Sequence, residues 1–348
     1  MTIKSIKIGK TSIGEGNSCY VIAEIGSNFD GSLSKAKKLI KLAKESGANA
    51  AKFQSFLTKN LLLKKGFETK SAFQNSWKNS VWKTYEKAEL PRKWHYELSQ
   101  YSKKIGIDFF TSPWDFDAVE LLDSLDVVAY KIGSGDITYL EILKHIGKKK
   151  KPILLGTGAS TIQEIAQAIK VIKSTGNNKI ILLQSITQYP SPIESANFLV
   201  LNTLKKKFKL NVGYSDHSPG MLVALSSVAL GACVIEKHFT DNSKLKGPDH
   251  PHSMDPKSFQ EMVKNIRFLE KAKGDGIKKV EKVEKETRII QRRGIWTVES
   301  IKKGDKFTAK NIMALRPAIG ISASHYKKLL GKKAWKNFPA YSALKNIN

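Results

Sequence analysis

The sequence predicts a (β/α)8 barrel, an α/β fold of the TIM-barrel type, followed by a small C-terminal domain. Eight short β-rich runs alternate with helical patterns over about 250 residues, a length and alternation typical of this barrel. The predicted strands span residues 20–25, 50–55, 107–112, 127–133, 152–157, 179–186, 210–215 and 233–239. A doubly wound open sheet is the alternative fold, but such sheets seldom contain eight regular units.

Amphipathic helices are predicted between the strands, because apolar residues recur there at helical spacing. Residues 33–45 and 161–174 show this pattern, and a final helix is predicted over residues 256–272. Residues 57–90 form an unusually long connection. Its aromatic side chains are Phe67, Phe73, Trp77, Trp82 and Tyr85. Such a connection predicts a lid or a binding segment, and an extra helix packed on the barrel is the alternative.

The barrel is expected to occupy residues 1–275, followed by a linker over residues 276–289. The charged stretch 278–286 has no clear apolar face, which is typical of a linker. Residues 290–348 are predicted to form a second domain with short strands and a helix around residues 324–330. Because about 60 residues can bury only a small core, this domain is expected to dock on its own chain or on a partner.

Composition indicates a cytoplasmic protein that can bury a sizeable core. Of its 348 residues, 41% are hydrophobic, and no apolar run approaches the ~20 residues needed to cross a bilayer. The N-terminus lacks an apolar signal core, so neither export nor membrane association is expected. The only two cysteines, Cys19 and Cys233, do not indicate a disulfide framework, and a reducing compartment fits them.

The formal net charge of +28 would by itself suggest a nucleic-acid or membrane-surface partner. However, the lysines are dispersed over predicted helix faces, and the densest runs, 148–151 and 205–207, come just before predicted strands. In a barrel this location is the face opposite the active site. Motifs that interleave aromatic and basic residues to stack bases are missing. We therefore expect a solvated surface that attracts small anionic substrates, and no nucleic-acid partner.

Two histidines stand at the ends of consecutive predicted strands. His217 follows residues 210–215, His238 ends the run 233–239, and one helical stretch separates them. Parallel strands joined in this way present their carboxyl ends at the same rim, where α/β folds carry their chemistry. A lone histidine there is usually a hydrogen-bonded structural residue. Two of them, followed by the polar run 247–253, favour a metal or catalytic site.

Motifs at the eight strand ends resemble those of the sialic acid synthase family. The matching segments are residues 23–28, 51–54, 110–113, 130–136, 156–158, 215–217, 236–240 and 247–250. In the tail, residues 301–305 and 315–322 are similar to the antifreeze-like (SAF, β-clip) domain that follows these barrels. The resemblance covers essentially the whole chain. It implies an enzyme that condenses phosphoenolpyruvate with an N-acylated hexosamine and releases phosphate by C–O cleavage.

The resemblance implies that Lys52 and Lys131 bind the phosphate and carboxylate of phosphoenolpyruvate. Both lysines end strands within apolar runs, so each ammonium has few partners other than a ligand. Further hydroxyl or backbone donors to the phosphate are expected from Ser112, Ser134, Thr157 and Thr187. Internal salt bridges of the two lysines with Glu24 or Asp136 are the alternative interpretation.

The resemblance also implies a divalent metal ion, Mn²⁺ or Mg²⁺, held by His217 and His238. Such an ion polarises the aldehyde of the open-chain amino sugar as a Lewis acid. Glu24 is the expected residue for moving protons of substrate or water. The residues expected to bind the sugar are Gln54, Asp136, Tyr189, Ser215, Asp249 and Arg316. In this family the arginine comes from a neighbouring subunit, which implies a domain-swapped homodimer.

Two segments depart from the family's commonest pattern. Gln-Ser-Ile-Thr occupies residues 184–187 and Asn-Phe-Asp-Gly occupies residues 28–31. These departures lie at the sugar end of the site and leave the sugar open. N-acetylmannosamine is the first expectation, because it is the family's commonest substrate. Its 6-phosphate and the 2,4-diacetamido sugars that lead to legionaminic or pseudaminic acid are the alternatives.

Three other functions explain the residues less well. A Schiff-base aldolase would use Lys131, or else Lys52, as its nucleophile, but the paired histidines would then have no role. A polyanion-binding protein would account for the charge and leave the strand-end motifs unexplained. Ice binding by the last 60 residues accounts less well for the Arg316–Pro317 motif than an arginine directed at an active site does.

Overall fold

The computed structural model describes residues 3–67, 70, 74–75 and 77–345. Phe73, one of the aromatic residues of the long connection, lies outside the described residues. The chain divides into two compact units, Met1–Gly274 and Asp275–Asn348, which are described separately here.

The first unit contains an eight-stranded parallel sheet within the described part of the chain. A hairpin of β1 (Ile6–Ile8) and β2 (Thr11–Ile13) precedes it. The strands of the sheet are β3 (Tyr20–Glu24), β4 (Ala50–Ser55), β5 (Asp108–Pro113), β6 (Tyr130–Ile132), β7 (Ile153–Gly156), β8 (Ile180–Ser185), β9 (Asn211–Asp216) and β10 (Val234–His238). Their order is β5-β4-β3-β10-β9-β8-β7-β6, and β5 contacts β6. The sheet is therefore barrel-like, and the predicted fold class is confirmed.

Helices follow the strands of the barrel. They are α1 (Leu33–Glu45), α2 (Thr58–Leu61), α3 (Val81–Ala88), α4 (Trp94–Ile105), α5 (Phe116–Ser124), α6 (Leu140–Lys148), α7 (Ile162–Ser174), α8 (Val200–Phe208), α9 (Leu222–Ala229) and α10 (Pro256–Ala272). In α1 the Ser32 side chain accepts a hydrogen bond from the backbone N–H of Lys35, which caps the helix. None of the helices among the described residues combines the length and the apolar character needed to span a bilayer.

Three features differ from the sequence prediction or add to it. Strand β6 covers only Tyr130–Ile132, although the β-branched run made residues 127–133 look like a longer strand. The long connection contains the helices α2 and α3, so the extra-helix interpretation holds for its described part. The hairpin was not predicted. Its Ile8 and Ile13 are fully buried in the barrel core, and Asn211 at the start of β9 donates to the carbonyl of Lys4. The hairpin therefore covers the amino-terminal end of the barrel.

The second unit has a small core of its own. Its elements are α11 (Lys285–Gln291), β11 (Gly294–Thr297), β12 (Ile312–Leu315) and α12 (Tyr326–Leu329). Strands β11 and β12 are antiparallel, and Ile295 and Ile312 are fully buried beside a cluster of Phe307, Trp335 and Phe338. Much of the range predicted as a linker is helical, because α11 begins at residue 285 after a helical turn at residues 282–284.

Candidate active site

A cavity of about 750 Å³ lies at the carboxyl ends of the barrel strands. Seven predicted site residues line it: Gln54, Ser134, Asp136, Thr187, Tyr189, His238 and Asp249. Its apolar wall comes partly from the long connection and comprises Phe56, Leu61, Leu62, Trp77, Tyr85 and Trp114. The described part of the long connection therefore helps to form the cavity, as the binding-segment interpretation requires.

Four charged side chains form a buried network. Lys52 Nζ lies 2.5 Å from Glu24 Oε2 and 3.6 Å from Glu236 Oε2, while Lys131 Nζ lies 3.5 Å from Glu236 Oε1. All four residues are at most 5% exposed. Two carboxylates thus offset two ammonium groups that would otherwise be buried alone, which is unfavourable.

The two lysines form the internal ion pairs that the sequence left as an alternative to ligand binding. Lys52 pairs with Glu24 as that alternative required, whereas Lys131 pairs with Glu236 and not with Asp136. Sequence reasoning missed Glu236 as a site residue. A signal was available, because Glu236 and His238 are two positions apart on β10, and alternate residues of a strand share a face.

The two glutamates differ in protonation. Burial, together with the charge of Glu236, raises the pKa of Glu24 from 4.5 to about 7, although Lys52 opposes this rise. Burial also acts to raise the pKa of Glu236, but Lys131 and Lys52 outweigh it and hold that pKa well below its usual range. Glu236 therefore carries the stable negative charge, and Glu24 can hold or release a proton near neutral pH.

Several of the predicted hydroxyls are engaged within the protein. Ser112 Oγ accepts from Lys52 Nζ at 3.3 Å, and Ser134 Oγ accepts from the N–H of Gly158 at 3.0 Å. Thr157 donates to the carbonyl of Leu183 at 3.0 Å, and Ser215 donates to Glu236 at 2.8 Å. Ser215, predicted as a sugar ligand, is therefore a buried partner of Glu236 in this structure.

The predicted metal ligands His217 and His238 lie together, with ring centroids 5.5 Å apart. Nδ1 of His217 lies 2.7 Å from the carbonyl of Ile186, so it carries the proton and leaves Nε2 with a free lone pair. Burial lowers the pKa of His217 to about 4 and that of His238 well below its usual range. Both imidazoles are therefore neutral at neutral pH, as metal ligands must be.

The structure adds His252 and Asp249 to this corner of the cavity. Ligand atoms of His238, Asp249 and His252 all lie within 4.8 Å of one another. The Tyr189 ring packs among the histidines, with its centroid 4.2 Å from that of His217 and 5.2 Å from that of His252. His252 lies in the polar run 247–253 but was not a predicted site residue. Neutral imidazoles and a carboxylate are a donor set that suits a divalent transition-metal ion.

Gln54 and Arg316 are the remaining predicted site residues. Gln54 Nε2 donates to Glu24 Oε1 at 2.7 Å, which links the cavity wall to the charged network. Arg316 belongs to the second unit, where it directly follows β12 and precedes Pro317.

Comparison with known proteins decides the family. The sequence model described as the NeuB family matches residues 39–278, and that of the SAF domain matches residues 292–345. The chain belongs to the NeuB family. This confirms both the resemblance to sialic acid synthases and the predicted order of a barrel followed by an antifreeze-like domain.

Relatives of this NeuB-family protein carry several names. It is 43% identical to the N,N'-diacetyllegionaminic acid synthase of Campylobacter jejuni, over 91% of this chain and 96% of that protein. It is 36% identical to the pseudaminic acid synthase of Campylobacter jejuni, over 94% and 95%. The crystal structure of N-acetylneuraminic acid (sialic acid) synthetase from Leptospira borgpetersenii in complex with citrate is 30% identical. It superposes with a TM-score of 0.74, over 82% of this chain and 95% of that one.

Proposed function

We propose that this NeuB-family protein is a nonulosonic acid synthase, which condenses phosphoenolpyruvate with an N-acylated hexosamine and releases phosphate. One observation carries the proposal: two buried ammonium groups, of Lys52 and Lys131, share one charged network with the carboxyl group of Glu24. Phosphoenolpyruvate offers a phosphate and a carboxylate, and such oxyanions can replace carboxylate partners of buried lysines.

The reaction proceeds by two bond formations and one bond cleavage. Carbon 3 of phosphoenolpyruvate attacks the open-chain aldehyde of the sugar, whose oxygen takes up a proton. Water then adds to carbon 2, and the tetrahedral intermediate expels phosphate by cleavage of the bond between carbon 2 and oxygen. Glu24 is the proposed proton carrier, since its pKa of about 7 lets it give and take a proton near neutral pH. Lys52 and Lys131 hold the phosphate and carboxylate during these steps.

A divalent cation, Mn²⁺ or Mg²⁺, is proposed to bind to His217 and His238, where it would polarise the sugar aldehyde as a Lewis acid. Chelator-treated protein is then expected to lose its condensation activity and to regain it with either ion. Full activity in excess chelator, together with borohydride trapping of a lysine adduct, would favour the Schiff-base alternative instead.

Among the sugars, we favour a 2,4-diacetamido-2,4,6-trideoxyhexose. The relative that is 43% identical is named for the legionaminic acid product of such a sugar. The apolar wall formed by Phe56, Leu61, Leu62 and Trp114 also suits the methyl group of a 6-deoxy sugar better than a hydroxymethyl or a phosphate. N-acetylmannosamine, the first expectation from the sequence, is the second candidate.

We further propose that the protein works as a homodimer in the cytoplasm. Arg316 of one chain would bind the N-acyl carbonyl of the sugar in the barrel of its partner, as the resemblance to sialic acid synthases implies. The proline after Arg316 restricts the backbone beside it, which favours a fixed presentation of the guanidinium.

Phosphate release from phosphoenolpyruvate labelled with ¹⁸O at the bridging oxygen tests the reaction. The purified protein is incubated with this compound and each candidate sugar, and phosphate and product are followed by mass spectrometry. We expect the label in the released phosphate and the highest kcat/KM with the diacetamido sugar. Unlabelled phosphate would overturn the C–O cleavage mechanism, and release without a nine-carbon acid product would overturn the synthase assignment.

A further inference from the structure

Three side chains with metal-binding atoms meet at one wall of the cavity. His238 ends β10, while Asp249 and His252 come from the loop between β10 and α10. One potential ligand atom from each residue lies within 4.8 Å of the other two, and all three residues line the cavity. His217 belongs to the neighbouring strand end and is not among the residues that line the described cavity.

Two ring nitrogens of this cluster are buried without a hydrogen-bond partner among the described residues. They are Nδ1 of His238 and Nε2 of His252. His238 is only 6% exposed, and the side chain of His252 only 5%. Buried polar atoms are nearly always satisfied, so two unsatisfied nitrogens on rings whose centroids lie 4.7 Å apart indicate a missing partner. A metal ion meets this requirement, because each neutral imidazole can offer it a lone pair.

Hydrogen bonds from Ser27 fix the orientation of the Asp249 carboxylate. The backbone N–H and the hydroxyl of Ser27 both donate to Oδ2 of Asp249, each at 2.9 Å. The other oxygen, Oδ1, lies 3.8 Å from Nε2 of His252. Outer hydrogen bonds that fix a ligating carboxylate in this way are typical of metal sites.

The absence of a side chain at Gly26 allows the Asp249 carboxylate to lie close to the backbone at this position. A Cβ at position 26 would lie 2.4 Å from Oδ2 of Asp249, and the φ angle of Gly26 is +53°, which disfavours other residues. The loop that presents Ser27 is therefore built to let Asp249 come close to the end of β3.

We propose that Asp249 and His252 are further ligands of the divalent cation proposed to bind His217 and His238, so that the carboxylate of Asp249 joins the imidazoles around it at the cavity wall. This donor set favours Mn²⁺, Fe²⁺ or Zn²⁺ over Mg²⁺, which prefers oxygen ligands. The inference deepens the proposed function, because it names the residues that hold the cation of that site. Cation binding is nevertheless measurable without any substrate.

Mn²⁺ binding to the full-length, metal-free protein tests the ligand set. Titration calorimetry and the electron paramagnetic resonance signal of free Mn²⁺ give its affinity, and thermal unfolding checks that each variant folds. We expect His252→Ala and Asp249→Asn to raise the Kd for Mn²⁺ by about 10-fold or more. The control is His145→Ala, a histidine hydrogen-bonded to Glu120 away from the site, which should leave the Kd unchanged. Wild-type affinity in both folded site variants would overturn the proposal.

Labelling identifies the ligands directly. With ¹⁵N-histidine incorporated, pulsed electron paramagnetic resonance of bound Mn²⁺ should detect ¹⁵N couplings that His252→Ala partly removes. Unchanged couplings in that variant, or Mg²⁺ competing as strongly as Mn²⁺, would contradict the assignment. These measurements contain no phosphoenolpyruvate or sugar, so their outcome does not depend on whether the protein catalyses the proposed condensation. In the same way, the outcome of the ¹⁸O experiment does not depend on which residues bind the cation.

Discussion

Nζ of Lys52 lies 2.5 Å from Oε2 of Glu24 inside the barrel, and both residues are at most 2% exposed. A predicted ligand of phosphoenolpyruvate is thus bound to the predicted proton carrier. Any oxyanion that binds Lys52 must compete with this carboxylate. Protonation of Glu24 removes its negative charge and so weakens its ion pair with Lys52. Binding of phosphoenolpyruvate to Lys52 is therefore coupled to the protonation state of Glu24.

Glu24→Gln should lower kcat by about 10²-fold or more, because an amide cannot transfer a proton as a carboxyl group does. The amide keeps the shape of the side chain, can still accept from Gln54 and no longer competes as a carboxylate for Lys52, so the KM for phosphoenolpyruvate should not rise. Steady-state kinetics with the preferred sugar measures both values. Glu120→Gln, on the exposed face of α5, is the control, and equal kcat values in the two variants would rule out a proton-transfer role for Glu24.

Thermal unfolding at several pH values should reveal the protonation of Glu24. Its pKa of about 7 in the folded protein exceeds the ordinary value of 4.5, so its contribution to stability is greatest below pH 4.5 and falls as the pH rises to about 7. Glu24→Gln should remove this part of the decline. At about pH 6, roughly one unit below the pKa, the infrared spectrum of the wild-type protein should contain one protonated-carboxyl band that Glu24→Gln lacks. An unchanged pH profile of unfolding in Glu24→Gln, together with no difference in this band, would contradict the raised pKa.

The buried ion pair of Lys237 and Asp216 should stabilise the folded barrel. Lys237 Nζ lies 2.7 Å from Asp216 Oδ2, and both residues are 1% exposed. Lys237→Met alone should cost about 3–5 kcal/mol of unfolding free energy, because it leaves a buried carboxylate unpaired. The double variant with Asp216→Asn should lose much less than the sum of the single variants.

Denaturant unfolding measures this double-mutant cycle. The control is Lys38→Met, because Lys38 forms an exposed ion pair with Asp241 at 3.0 Å. This substitution should lower the free energy of unfolding by less than about 1 kcal/mol. Additive losses in the Lys237–Asp216 cycle would show that the two charges do not stabilise each other.

Mixing two variants of low activity should restore part of the activity if the sites are shared between chains. In a mixed dimer of Arg316→Ala and Lys131→Ala, one barrel keeps Lys131 and receives an intact Arg316. Arg316→Ala alone should raise the KM for the sugar far more than that for phosphoenolpyruvate. Activity after denaturation and joint refolding is the measurement, with each variant refolded alone as the control. No recovery while mass spectrometry detects mixed dimers, or a monomer by sedimentation, would contradict the swap.

Local sequence patterns were sufficient to predict the barrel and the end of it that carries the predicted site. All eight predicted strands are present, and the predicted bounds of α1 and α10 match the structure to the residue. These elements follow from local patterns, since side-chain periodicity and capping residues lie within a few positions of one another. The rim positions of His217 and His238 followed in the same way, because a strand end in a parallel barrel fixes where its last side chains lie.

The contacts between residues at the carboxyl ends of the strands could not be predicted from local patterns. Glu236 pairs with Lys52 and Lys131, and His252 joins His238 and Asp249, although the sequence singled out neither Glu236 nor His252. Charges and ligand atoms interact through space, and the distances between them are set when the sheet closes and its loops fold back. Local sequence patterns specify each strand and helix, whereas the partners of a buried charge depend on the closed barrel as a whole.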